Sequence, residues 1–236
     1  MRTTIAFIRG INVGGKNTLP MKELVAILEN LDLRNVKTYL QSGNAVFQRK
    51  EENAGGLSRK IGAEIKKSRG FEPQVLLLES AELEQAAQSN PFPEAESEPK
   101  TLHLFFLAAA PSSPDLTTLE SLKGRNERFV LKGSVFYLHA PDGVGRSKLA
   151  ANAERLLGVP MTGRNWRSVS EIMAMAKNGE IRQIEWHVMP NVIRAQAANG
   201  RIFHIRNENK GIDIRNTLIS AGINLGKGGI VFRHVF

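Results

Sequence analysis

Residues 9–17, Arg-Gly-Ile-Asn-Val-Gly-Gly-Lys-Asn, hold the residue types that can cradle a phosphate group. Glycines leave backbone N–H groups open to an anion, and Arg9 and Lys16 bring positive charge to the same turn. The P-loop spacing G-x-x-x-x-G-K runs from Gly10 to Lys16. Asn17, however, stands where Ser or Thr would hold magnesium. Pro20 marks a helix start later than a P-loop requires. Glu79, after Val75-Leu76-Leu77-Leu78, is a poor stand-in for the acidic residue that completes such a site. Nucleotide hydrolysis is therefore not the chemistry expected. Generic anion binding is one reading of this loop. A turn whose glycines need positive φ is the other.

Three more segments pair basic or polar residues with turn or helix-start signals. Ser42-Gly43-Asn44 sits between two strands, where Ser and Asn bond local backbone or face a ligand. Gly145-Arg146-Ser147-Lys148 opens a helix, whose positive dipole end and two cations favour an anion. Thr162-Gly163-Arg164-Asn165-Trp166-Arg167-Ser168 precedes another helix, with Ser168 as N-cap and Glu171 completing a capping box. There Arg164 and Arg167 could fork a phosphate or carboxylate beside Trp166, or Trp166 could be a buried anchor between solvated arginines. The candidate ligand contacts are thus Arg9, Gly14, Gly15, Lys16 and Asn17, then Ser42 and Asn44, then Arg146, Lys148, Arg164 and Arg167.

His103 and His139 lie in apolar strands and are read as structural. His187, His204 and His234 are too dispersed for a metal motif. No catalytic constellation and no cofactor signature is visible, and the sequence does not decide whether the protein is an enzyme. The absence of cysteine removes disulfides, thiolate metal sites and thiol catalysis. A net charge of +9 favours a phosphate-bearing small molecule or nucleic acid as partner. The charges are scattered, with no run of five or six Lys/Arg. No apolar run reaches the roughly 18–20 residues of a membrane span, so no membrane is expected. The first apolar run is about five residues long and meets Arg9, which is no signal peptide. The expected location is cytoplasmic.

These segments must be positioned by elements that parse in order. Strands are expected at 3–9, 35–40, 44–48 and 73–79, and helices at 20–31 and 56–68. That order is βαββαβ, the ferredoxin-like unit. Ser80 caps a short helix at 81–88, and residues 90–99 look like a linker. A second copy follows: a strand at 101–107, a helix at 115–122, a hairpin at 127–131 and 134–139, and helices at 146–157 and 168–177. It reads as βαββα, less regular than the first. Beyond residue 177, Asn199-Gly200 signals a hairpin between 192–196 and 201–205, with a helix at 212–223 and a strand at 230–236. The expected topology leaves one difficulty. If strand two runs antiparallel to strand one, the Gly-rich loop and the Ser42–Asn44 turn leave opposite ends of the sheet.

Four ordered motifs carry a resemblance: Ile8–Asn17, Tyr39-Leu40-Gln41-Ser42-Gly43-Asn44, Gly145–Leu149 and Thr162–Val169. Over about residues 1–177 the chain resembles the bacterial domain-of-unknown-function family 1697. The resemblance implies two linked ferredoxin-like subdomains and carries no established activity. Such proteins usually stop near residue 177, so residues 178–236 are either a fused module or a read-through or frameshift product. The fold expected is α+β: two ferredoxin-like (βαββαβ) subdomains at 1–88 and 100–177, with an additional C-terminal α/β segment at 178–236. The function expected is binding of a phosphate-bearing ligand or nucleic acid through basic loops. An enzyme acting on a small anionic metabolite and a ligand-free scaffold module are the alternatives.

Overall fold

Alternation in the first strand sets the architecture. In β1 (Arg2–Ile8), Ile5 and Phe7 face one way and Ala6 and Ile8 the other, and all four are buried. A strand buried on both faces belongs at the centre of a sheet. β1 lies between β3 (Asn44–Arg49) and β4 (Val75–Glu79), antiparallel to both, and β2 (Arg34–Tyr39) pairs outside β3. Helices α1 (Met21–Asn30) and α2 (Leu57–Arg69) cover the face that carries Ala6 and Ile8, with Leu24, Leu28, Ile61 and Ile65 packed there. The structure, a computed structural model, describes residues 1–50 and 56–177 and the strands at 181–187, 192–197, 202–206 and 231–235.

The second sheet repeats this plan. β5 (Leu102–Leu107), α4 (Leu116–Leu122), β6 (Arg128–Lys132), β7 (Val135–His139), α5 (Lys148–Leu157) and β8 (Met161–Asn165) give the strand order β6-β7-β5-β8. β8 corrects the sequence expectation, which ends this copy without a fourth strand. Met-Thr-Gly-Arg-Asn has little apolar alternation, and it pairs on one side only, with β5. Helix α6 (Trp166–Lys177) follows at once. Its first turn is capped by Asn165, whose Oδ1 accepts the Ser168 N–H at 2.9 Å, not by the expected Ser168. Ahead of α5, residues 144–146 form a 3-10 turn and Ser147 is the N-cap, its hydroxyl accepting from Ala150 at 2.9 Å.

The helix-free faces of the two sheets turn toward each other. Ile5, Phe7 and Val46 from one sheet and Leu104, Phe106 and Tyr137 from the other share one apolar cluster. Helices α3 (Ser80–Gln88) and α6 add Leu83, Val169 and Ile172 to it. Covering both faces of each sheet in this way gives a layered body with helices outside and a shared apolar layer inside. Residues 90–99, expected as a linker, hold a 3-10 turn at 93–97, and Phe92 and Ala95 are buried in the shared cluster. Helix α3 begins at Ser80, with the Glu82 carboxylate accepting the Glu79 N–H at 2.7 Å, so Glu79 rather than Ser80 is the cap. Tyr137 donates across the layers to the Ala86 carbonyl at 2.8 Å, and burial pushes its phenol up to about 12.

Beyond residue 177, β9 (Ile181–His187), β10 (Val192–Ala197), β11 (Ile202–Arg206) and β12 (Val231–Val235) form a third sheet in the order β11-β10-β9-β12. β10 and β11 are the two antiparallel arms of the expected hairpin. Its Asn199-Gly200 turn and the helix expected at 212–223 lie outside the described residues.

Candidate ligand cleft between the two sheets

The Gly-rich loop closes on itself. Asn12 N–H donates to the Asn17 carbonyl at 3.1 Å, Asn17 Nδ2 to the Gly10 carbonyl at 3.0 Å, and Lys16 N–H to the Val13 carbonyl at 3.0 Å. Gly10, Gly14 and Gly15 all have positive φ, as the turn reading requires. Asn12 ties the loop to its surroundings: Nδ2 donates to the Leu19 and Gln41 carbonyls at 2.9 and 2.8 Å, and Oδ1 accepts from Leu19 N–H at 2.8 Å.

That bond to Gln41 corrects the topological objection. β1 and β2 are each antiparallel to β3, so they run parallel to one another across it. Phe7 and Tyr39 both pair with Asn44, and the two loops leave the same end of the sheet. Ile8 N–H donates to the Gly43 carbonyl at 2.7 Å. Asn44 is fully buried, with Nδ2 donating to the Tyr39 carbonyl and the Ser42 hydroxyl.

Arg164 joins this cluster from the second sheet. Its Nε donates to Asn44 Oδ1, and its terminal nitrogens donate to the Ser42 carbonyl at 3.2 Å, the Thr162 hydroxyl at 2.9 Å and the Gly163 carbonyl at 2.7 Å. The guanidinium lies 4.7 Å from the centre of the Phe7 ring. The residue keeps some exposure, but its head group is enclosed, and burial brings its pKa down to about 10. It stays charged at neutral pH, with uncharged oxygens and an aromatic face as partners. Arg164, Ser42 and Asn44 thus do meet, in a bonded cluster between the sheets.

The other candidates part ways. Arg9 crosses between the sheets. It donates to Glu154 on α5 through both terminal nitrogens, at 2.9 and 2.7 Å, and to Gln74 Oε1 at 3.1 Å. Lys16, Arg146, Lys148 and Arg167 are exposed, and their side chains make no hydrogen bond or ion pair with a described residue. Glu79 pairs with the buried Arg49 at the opposite end of β1 from the Gly-rich loop, out of reach of a nucleotide there.

Where β1 and β5 end, the layer between the sheets opens into a cleft of about 520 Å³. Phe7 and Phe106 border it from within the core, both buried, with their ring centres 5.1 Å apart. Leu76, Ala108, Pro160 and Met161 make apolar walls. Arg9, Arg59, Ser58, Glu72, Gln74 and Thr162 supply polar groups. Ser58 and Arg59 sit in the first turn of α2, whose N-cap, Gly56, has no side-chain cap bond. Glu72 is held by Lys66 at 3.0 Å, whereas Arg59 pairs with no described carboxylate. Of the sequence candidates, only Arg9 lines the cleft.

Arg59, Glu72, Gln74 and Glu154 carry no motif that marks them in the sequence. Phe7 and Phe106 did leave a signal, since each is the penultimate residue of the first strand of its copy. Among the described residues, no group of three or more His, Asp or Glu side chains gathers as a metal site would require. Nor is any described helix long and apolar enough to cross a membrane.

No curated protein matches the chain. A solved structure of the conserved bacterial protein SP0830 from Streptococcus pneumoniae is similar, at 27% identity and a TM-score of 0.54, covering 75% of this chain and 99% of that one. A family model described as "Protein of unknown function (DUF1697)" matches residues 1–137. The match is shorter than the expected 177 residues, so the Gly145–Leu149 and Thr162–Val169 motifs lie beyond it. With its Gly-rich loop, its Ser42–Asn44 turn and the whole first sheet inside the matched span, the chain belongs to the DUF1697 family.

Proposed function

We propose that the protein binds a small anionic molecule, phosphate- or carboxylate-bearing, in the cleft between its two sheets. The cleft itself carries this reading. Its volume of about 520 Å³ falls within the range of small-molecule pockets, and it combines apolar walls with a few convergent polar groups. Arg9 and Arg59 would hold the anion. The start of α2, with Gly56 as N-cap, brings the positive end of its helix dipole to the same wall. The exposed basic residues of the loops raise the local concentration of anions and need not touch the ligand. Nucleic acid on a sheet face is the less favoured partner. The inner faces of both sheets, the surface on which such folds stack bases, are covered by the shared apolar layer that includes α3 and α6.

Thermal shift of the full chain against phosphate esters, sugar phosphates, nucleotides and carboxylates tests this. Stabilisation by a ligand follows RT ln(1 + [L]/Kd), so a millimolar panel detects weak binders. Arg59→Ala and Arg9→Ala should abolish the shift, and Lys16→Ala should keep it. A shift lost in Lys16→Ala and kept in both arginine variants would move the site to the Gly-rich loop and reject the cleft.

A further inference from the structure

The cleft already has one carboxylate on its arginine. Glu154 meets Arg9 in a two-pronged arrangement, Oε1 on one terminal nitrogen at 2.9 Å and Oε2 on the other at 2.7 Å. That is the geometry a planar carboxylate takes on a guanidinium. The pair is replaceable, because Arg9 and Glu154 keep 41% and 37% of their side-chain surface exposed. Arg9 has a second support that does not depend on Glu154, namely Gln74.

The rest of the lining limits the ligand's charge and shape. Counting the ion-pair partners of the lining residues, Arg9, Arg59 and Lys66 stand against Glu72 and Glu154, which leaves an excess of one positive charge. A second negative charge on the ligand would meet Glu72 or an apolar wall. Leu76, Ala108, Pro160 and Met161 offer contact to an apolar body, with the buried Phe7 and Phe106 behind them.

We infer that the cleft takes a small monocarboxylate with an apolar body, and that its carboxylate displaces the Glu154 carboxylate from Arg9. This rests on the proposed cleft and goes further in naming the ligand class and an internal competitor. Glu154 and Gln74 together fix the position of the Arg9 guanidinium. The Glu154 contact lowers apparent affinity, because the ligand binds only when Arg9 is released.

Isothermal titration of the full chain with phenylacetate, phenyl phosphate and 2-phenylethanol tests both parts. Wild type should bind phenylacetate more tightly than phenyl phosphate and should not bind the alcohol. Glu154→Gln, and Glu154→Ala as a second form, should tighten phenylacetate by about two- to five-fold, the range an exposed ion pair sets. Arg9→Gln should weaken it by about ten-fold or more, as loss of a charge-assisted contact requires. Tighter binding of phenyl phosphate would overturn the carboxylate class and leave the cleft standing. Unchanged or weaker phenylacetate binding in both Glu154 variants would overturn the exchange on Arg9. No binding of any probe to wild type or either Glu154 variant would overturn the inference and the cleft together.

Discussion

Arg164 does its work as a clamp between the sheets. Three backbone or side-chain oxygens and the Phe7 face surround its guanidinium besides the Asn44 amide oxygen. Removing it leaves Asn44 Oδ1 and the Ser42 carbonyl short of a donor and exposes an aromatic face. Arg164→Ala should therefore lower the unfolding free energy by about 2–4 kcal/mol, read from urea denaturation. Arg164→Lys should recover only part of that loss, since an ammonium cannot span four acceptors in a plane. The sequence names Arg164 as an anion ligand because Arg beside Trp and Ser suggests a phosphate fork. The direction of its side chain was not legible, because β8 itself was not. His103 gives a second residue-level expectation. Burial holds its imidazole below the ordinary value of 6.5, with Nε2 on the Lys100 carbonyl at 3.0 Å. The unfolded chain therefore takes up a proton that the folded chain resists, and stability falls as pH drops below 6.5. His139, lowered mainly by burial with help from Arg128, adds to the same window. Denaturation at pH 7.5 and 5.5 should show the loss, and His103→Gln should shrink it.

At the scale of elements, two contacts decide where loops and helices begin. Gly43 has φ +74°, and a Cβ there would lie 2.4 Å from the Ile8 carbonyl oxygen. This close approach lets the β2–β3 turn accept the Ile8 N–H, which binds the turn to the end of β1. Gly43→Ala should cost about 2–4 kcal/mol, from strained backbone plus a displaced strand end, and should lower the melting temperature accordingly. Asn165 sets the start of α6, so Asn165→Ala should cost about 1 kcal/mol while Ser168→Ala costs less. A larger loss in Ser168→Ala would restore the capping box that the sequence suggests. Strands β1, β3 and β4 and helices α1 and α2 were legible because their apolar residues recur at the period of the element and pack into the core, whereas the mostly exposed β2 was legible from the Gln41–Asn44 turn that follows it. β8 was not, since an edge strand that pairs on one side only can carry few apolar residues. The meeting of the two signature loops was missed for a different reason. Strand direction in a sheet depends on which strand lies between, and β3 lies between β1 and β2. The cleft was beyond reach of sequence spacing altogether, because its walls come from segments near residues 9, 59, 74, 106 and 161.

Across the whole molecule, the two copies act as one body because each supplies the cover the other lacks. A ferredoxin-like sheet has helices on one face only, so its other face needs a partner layer. Here each sheet uses the other, and α3 and α6 fill the remaining space. Phe92 and Ala95, from the segment that joins the copies, are buried in that shared layer, so the connection is part of the core. This arrangement makes a cleft at the sheet ends a natural result. Two twisted sheets in face contact splay where their strands stop. It also predicts how the chain responds to shortening. Both strand orders, their covering helices and the shared layer are complete with α6, which ends at Lys177. A chain ended after Lys177 should therefore melt in one transition, within a few degrees of the full chain, because the hydrophobic clusters that hold the two sheets are intact. It should also keep any ligand-induced shift, since every cleft-lining residue precedes position 163. Calorimetry of the two forms decides it. A large fall in melting temperature, or a lost ligand shift, would make the third sheet a structural partner of the first two.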